Sequence, residues 1–564
     1  MADGSKLTLF SCATCGSKFF DPPGIRDFSD ILGKDKYFWK SYVEVTCGIW
    51  EMYWPAACSR QEPTVSLLDI GCGFGFTVDA WRRLRGEAIG VELAGYGRAG
   101  AEQLSVPIYS DYLQDIPELQ ARRFDVVYAS EVIEHVPDPG EFAALLSRYV
   151  ADDGVLCLTT PNAEYILEKN DSPTLVAALS PGFHGFLIGP VEMEKILRGC
   201  GFVHVIVRQL GERLIAWASQ RPLDIEQNSP QVRAEYLHYL EEILATRKEN
   251  DFVTDGIAYR HFRDTVLAQN FDAARRSLTR LETSLLEKYP ATLSDPDQTL
   301  ERVLTLTAAE DYNSAYPWFL PNFYYLLGLY AKLFEHNEQA ARQYFRASRH
   351  LTAYIASTWG ALFVLEALSF LPEAWQQEAV SAAINGDPSV CEEWIAVIAG
   401  GDHHTFPKLG GNRLSNRQIE QAYLEGLSIF AALNRPEALR KALHDCLKYL
   451  EGRYGDWLRV ELTAPGGAPG GELQHEQRMY LHFKIAASCI QLDTYPDLIR
   501  PLLERVLQLG RMKNKPSDMA NWITSEARVR LAALSPPPNS WGGENSHVAQ
   551  NLSYSFKLIS KTKS

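Results

Sequence analysis

The densest chemical signal in the chain is the run Leu67-Leu68-Asp69-Ile70-Gly71-Cys72-Gly73-Phe74-Gly75. An apolar, strand-like stretch ends in an acid and alternating glycines, and a segment of helical period, Thr77–Arg85, follows. Glycines at such a turn let a ligand approach bare backbone. The start of the following helix offers unpaired N–H groups to a carboxylate or phosphate. A dinucleotide fingerprint requires G-x-G-x-x-G. Here the third glycine falls one place early, at Gly75, and position 76 is Phe. Further on, Ile89-Gly90-Val91-Glu92 closes the next strand-like run. A carboxylate about 20 residues after a glycine loop can accept both ribose hydroxyls of a nucleoside. Ser110-Asp111-Tyr112 follows a third such run, where Asp also suits a helix cap.

A fourth segment reads Phe124-Asp125-Val126-Val127-Tyr128-Ala129-Ser130-Glu131-Val132-Ile133-Glu134-His135-Val136-Pro137-Asp138-Pro139. Thr160-Pro161-Asn162, then His184, then the helical phrase Val191–Phe202 with its terminal Gly201-Phe202 come after it in order. Together these motifs resemble class I S-adenosylmethionine-dependent methyltransferases, in the subgroup of the quinone-biosynthesis enzymes and many sugar methyltransferases. The resemblance covers roughly 65–220 continuously. It implies that Asp69, Gly71, Gly73, Gly75, Glu92, Asp111, Tyr112, Ser130 and Glu131 bind the cofactor, with Glu92 on the ribose and Asp111 on the adenine amino group. Glu131 is read as holding the methionine end or a loop backbone.

Methyl transfer asks little of a protein, because the sulfonium methyl is already activated. The acceptor atom must lie in line with the S–CH₃ bond, with water excluded. A hydroxyl acceptor also needs a base. His135, His184 and Glu134 are the catalytic candidates, histidine being suited by its titration near neutrality. The competing reading makes His135 a turn histidine before Val136-Pro137, and His184 a structural one.

These residues need a scaffold. Val65–Ile70, Ala88–Leu93, Val106–Ser110, Phe124–Ser130 and Val155–Thr160 are near-continuous apolar runs, as expected of parallel strands covered on both faces. Helical segments alternate with them, which predicts a doubly wound, Rossmann-like α/β fold. Val203–Gln209, Gly211 and Arg213–Ser219 read as a terminal β-hairpin, completing a seven-stranded, mostly parallel sheet. Four regions are expected: an aromatic-rich lead-in with a single Cys-x-x-Cys over 1–60, the methyltransferase domain over 61–222, an all-α, tetratricopeptide-like domain over 230–534, and a linker and tail over 535–564. The repeat reading rests on Tyr324, Leu327 and Gly328 with Ala340, Tyr344 and Ala347, and on the same 12-residue offset from Gly426 to Ala438. An ordinary helical bundle is the alternative.

Net charge is −15, which gives no electrostatic footprint for nucleic acid. No apolar run approaches the length of a membrane span, and Met1–Phe10 lacks the features of a signal peptide. The ten cysteines sit largely in apolar runs, as in a cytoplasmic protein with free thiols. Cys12 and Cys15 form one knuckle where a zinc ribbon has two, so the pair reads as vestigial and no metal is assigned. Gly400–Asn412, with Asp402-His403-His404, and Ala464–Glu472 read as exposed loops. The function expected is O-methylation, by S-adenosylmethionine, of a sugar hydroxyl on a glycan or surface-polysaccharide precursor. The alternatives are a small-molecule phenol, quinol or natural-product acceptor, or an inactive scaffold whose helical half binds a protein partner.

Overall fold

The computed structural model describes residues 8–534 apart from 22–35, 61–64, 168–174, 176–177, 181–182, 228, 290–294, 400–415, 455–470 and 512–517. The 535–564 linker and tail, Asp402-His403-His404 and most of the 464–472 loop therefore lie outside the described residues, although Gly471 and Glu472 open a helix.

The chain divides into two compact units. The first comprises 1–326 and 351–367. Its centre is a seven-stranded sheet built from β3 (Leu67–Ile70), β4 (Ala88–Val91), β5 (Ile108–Tyr109), β6 (Phe124–Ser130), β7 (Val150–Pro161), β9 (His204–Leu210) and β10 (Arg213–Ser219). The order is β5-β4-β3-β6-β7-β10-β9. Strands β3 to β7 run parallel, and β10 enters antiparallel between β7 and β9. The alternating β-strand side chains divide between two buried faces. Leu68, Ile70, Val127, Ala129, Leu156 and Leu158 join one core with Leu146, Met193 and Leu197 from the covering helices. On the other side Trp217 Nε1 donates to Pro55 O (2.8 Å) and Trp81 Nε1 to Val65 O (2.7 Å), which satisfies both buried indoles.

Strand order reverses at β3, between β4 and β6. Open α/β sheets bind ligands at such a point, outside the carboxyl ends of the strands. Every cofactor motif read from the sequence lies at one of those ends. Helix α1 (Lys36–Thr46), helix α2 (Trp50–Ala57) and the helix Pro230–Thr246 pack beside this mouth. Within the lead-in, Tyr53 and Trp54 are buried. Its first part is a hairpin, β1 (Thr8–Ser11) and β2 (Lys18–Asp21), that continues into β8 (Phe186–Leu187) as a small antiparallel sheet.

The second unit comprises 327–350 and 368–564, and its described part is helical. A Cβ on Gly328 would stand 2.6 Å from the Phe345 ring, so this glycine permits close helix packing. Gly426 receives Ile395 from the preceding helix, Ser389–Ala399, rather than a side chain at the expected 12-residue offset. Among the described residues, no helix is long and apolar enough to cross a membrane.

Candidate active site

A cavity of about 750 Å³ opens at the reversal point. Its floor is the glycine loop between β3 and helix α3 (Phe76–Leu84). Gly71, Gly73 and Gly75 all have positive φ. At Gly73, which lines the cavity, a Cβ would lie 3.1 Å from Tyr42 Oη. Gly75 does not line the cavity; it caps α3 and packs against Ile108.

Glu92 turns back under this loop. Its Oε2 accepts from Gly73 N–H (3.0 Å) and its Oε1 from Ala94 N–H (2.9 Å). Burial raises its carboxyl, while those backbone donors oppose the rise. Asp69 is pushed well above the usual range by burial and then by the Glu92 charge. Asp69, Gly71, Gly73, Glu92, Asp111, Tyr112, Ser130 and Glu131 all line this cavity. Acids and left-handed backbone in this arrangement fit a cationic ligand with a ribose and an amino acid end, such as S-adenosylmethionine.

Glu131 is held in the left-handed region, at φ 55, which is costly for a residue with a Cβ. Thr159 Oγ1 (2.8 Å) and Arg213 Nε (3.1 Å) both donate to its Oε1. Arg213 also donates to Ser130 Oγ (3.1 Å) and Glu51 O (2.7 Å). Sequence reading missed Arg213, because nothing local separates it from any hairpin arginine. Arg213→Met is expected to leave Glu131 without its cation and lower stability by about 1–2 kcal/mol, because Glu131 is partly solvated. Urea denaturation checks this; an unchanged midpoint would make the contact incidental.

The three catalytic candidates separate. The segment Ile133–His135 is a single turn after β6, and Asp138 caps the following helix, Pro139–Ser147, through Gly140 N–H (2.8 Å) and Glu141 N–H (3.0 Å). His135 lines the cavity; Glu134 and His184 do not. His135 Nδ1 lies 3.0 Å from Phe183 O, and His184 Nδ1 lies 2.7 Å from Ala178 O. Each contact favours the tautomer with its proton on Nδ1, leaving the lone pair on Nε2. The two rings meet edge to face at 4.6 Å. Burial lowers His135, and burial with the neighbouring His135 holds His184 at about 4. Fully buried Glu134 accepts from Thr160 Oγ1 (3.0 Å), and burial keeps its carboxyl well above the usual range. One ligand atom from each of Glu134, His135 and His184 lies within 4.8 Å of the others, a set with the composition to take a divalent cation.

A lowered histidine has a stability signature. Between about pH 6.5 and 4 the unfolded chain takes up a proton at position 184 and the folded chain does not. Stability is therefore expected to fall across that window, by about 3 kcal/mol at the limit of the shift. A His184→Gln variant should show a shallower decline in melting temperature over the same range; parallel curves would contradict the assignment.

The rest of the cavity comes from outside the sequence motifs. Tyr42, Met52 and Tyr53 come from α1 and α2, and Tyr236 and Tyr239 from the helix Pro230–Thr246. The aromatic richness of the lead-in was a usable signal for the first group. Tyr236 is positioned by tertiary contacts, its hydroxyl lying 2.7 Å from Gly48 O and 2.6 Å from Asp264 Oδ2, either of which can accept its one proton.

Residues 50–207 match the family model described as "Methyltransferase domain". Similar curated proteins include the Ubiquinone biosynthesis O-methyltransferase of Rhodopseudomonas palustris, 32% identical over 151 residues, covering 24% of this chain and 58% of that protein. The protein of the same name from Burkholderia pseudomallei is 27% identical over 211 residues, covering 35% of this chain and 89% of the relative. The chain spans about six tenths of the length of the first curated relatives it matches. Among solved structures, a "DhpI-SAH complex" is 16% identical with a TM-score of 0.25, covering 35% of this chain and 98% of that one. This segment is thus a methyltransferase domain by sequence match, on a Rossmann-like sheet.

Proposed function

We propose that the chain transfers a methyl group from S-adenosylmethionine to an acceptor hydroxyl. The observation that carries this reading is the cavity at the reversal point, lined by the Gly71–Gly73 backbone, the anchored Glu92 and the fixed Glu131. The cofactor supplies an electrophilic methyl. Glu92 and Asp111 would hold the nucleoside, and the glycine loop the amino acid end. Helices α1 and α2 with Tyr236 and Tyr239 exclude water from the opposite side. His135, on the cavity wall and neutral at pH 7, accepts the acceptor's proton on Nε2. Phe183 O holds the His135 ring at Nδ1, and the His184 ring packs against it edge to face.

The acceptor side favours the small-molecule reading over the glycan reading. Tyr42, Tyr53, Tyr128 and Met52 offer flat and apolar surface suited to a phenol- or quinol-type ring. The relatives named for ubiquinone biosynthesis support the same choice. Incubation with methyl-labelled cofactor and panels of catechols, quinols and nucleotide sugars tests it. Label in a methyl ether of a phenol is expected; label confined to sugars would return the glycan assignment, and no turnover would favour a scaffold. Glu92→Ala is expected to weaken S-adenosylhomocysteine binding about 10- to 100-fold, because two charge-assisted bonds and the loop anchor are lost together. Equal affinity by calorimetry would remove Glu92 from the site.

A further inference from the structure

Helix α1 precedes the residues that match the methyltransferase domain, yet it walls the cavity with Tyr42 and Thr46. Tyr42 Oη stands over the glycine loop, close enough to meet a Cβ on Gly73 at 3.1 Å. Its ring packs against Tyr96, another cavity residue, at 5.2 Å. A helix of 11 residues does not hold its place by itself, so its packing partners decide where Tyr42 lies.

Partners 206 to 276 positions along the chain grip the rest of α1. Lys40 Nζ donates to Asn313 O (2.7 Å), Tyr316 O (3.1 Å) and Tyr289 Oη (3.0 Å), which uses all three of its protons. Glu44 has no exposure, and its Oε2 accepts from Trp318 N–H (2.8 Å). Arg260 donates to Val45 O. Shifting α1 would strand the buried Glu44 carboxylate, which is strongly unfavourable. Gly256, in the helix Phe252–Leu267, lies against the same helix. A Cβ there would stand 2.7 Å from Cys47 Sγ and 3.0 Å from Glu44 O. Glycine is a poor helix former, and here its lack of a side chain lets the two helices approach. Lys40, Glu44, Cys47 and Gly256 do not line the cavity.

We infer that the helix Phe252–Leu267 and the stretch 313–318 complete the cofactor site from outside the matched domain. They fix α1, and α1 sets Tyr42 against the glycine loop. Lys40, Glu44 and Gly256 are positioning residues that act on S-adenosylmethionine through Tyr42. The inference rests on the cavity being that cofactor's site.

The test titrates the full chain with S-adenosylhomocysteine by calorimetry and follows thermal unfolding alongside. Gly256→Ala, which pushes α1 away from its neighbour, is expected to weaken binding about 5-fold or more. Lys40→Met, which releases α1 from Asn313 and Tyr316, should act in the same direction. Adding Cys47→Ala to Gly256→Ala removes the sulfur that the new methyl meets and should recover affinity. In a Tyr42→Ala background, itself a weaker binder, neither Gly256→Ala nor Lys40→Met should cost anything further. Unchanged affinity in both single variants overturns the inference, even where the melting temperature falls. So does an equal further loss in the Tyr42→Ala background, because the effect then bypasses Tyr42. No binding by the unaltered chain fails the cofactor reading itself, and the inference with it.

Discussion

Gly73→Arg is expected to abolish binding of S-adenosylhomocysteine while leaving the fold in place. Two effects add at this position. The backbone is left-handed, at φ 58, so any side chain costs about 1–2 kcal/mol before it meets a neighbour. The side chain then enters the cavity, its Cβ 3.1 Å from Tyr42 Oη. A guanidinium on a three-carbon stem would occupy the volume the amino acid end of the cofactor requires. It would also pull on the Gly73 N–H bond to Glu92 and so on the ribose side. Calorimetric titration is expected to show at least about a 100-fold loss, or about 2.7 kcal/mol. Gly73→Ala, carrying only the Cβ, should bind measurably but more weakly. Wild-type affinity in the Arg variant would place the cofactor elsewhere.

His135→Ala is the second large effect, and it falls on turnover. A positioned base contributes about 10²- to 10⁴-fold to proton transfer. His135 lines the cavity beside Val132 and Glu131, whereas His184 sits behind it. Loss of the imidazole should lower kcat by about that factor with S-adenosylhomocysteine affinity nearly unchanged. The pH profile gives the sign. Burial lowers the His135 pKa, so the base stays deprotonated above its ordinary 6.5, and kcat/KM should be flat there and fall on the acid side. In the Ala variant the acid limb should disappear. Retained turnover with weakened cofactor binding would instead make His135 part of the cofactor wall.

Much of the site was legible because its signals are local. A glycine loop must follow a strand and precede a helix to work, so the order Asp69, Gly71, Gly73, Gly75 declares both the elements and the turn between them. Apolar runs bounded by such turns located all seven strands of the sheet, and the antiparallel pairing of Arg213–Ser219 with Val155–Pro161 follows the expected terminal hairpin. Strand bounds differed most where burial weakens: β5 shrinks to Ile108–Tyr109 at the sheet edge, and β7 starts at Val150. Asn162, read only as part of a motif, ties the end of β7 to the hairpin through Gln209 Oε1 and Gly211 O.

What the amino-acid sequence determined by itself was the set of residues whose work depends on neighbours within a few positions: the glycine loop, the acids at strand ends, the capped turn around His135. Tertiary structure alone decided which distant side chains share that space. Arg213 meets Glu131 across 82 positions, and Tyr236 closes the cavity from a helix beyond the matched domain. It also decided that His135 faces the cavity while Glu134 and His184 stand behind it. Period and propensity act along the chain, whereas burial, charge pairing and cavity walls arise only once remote segments are packed together.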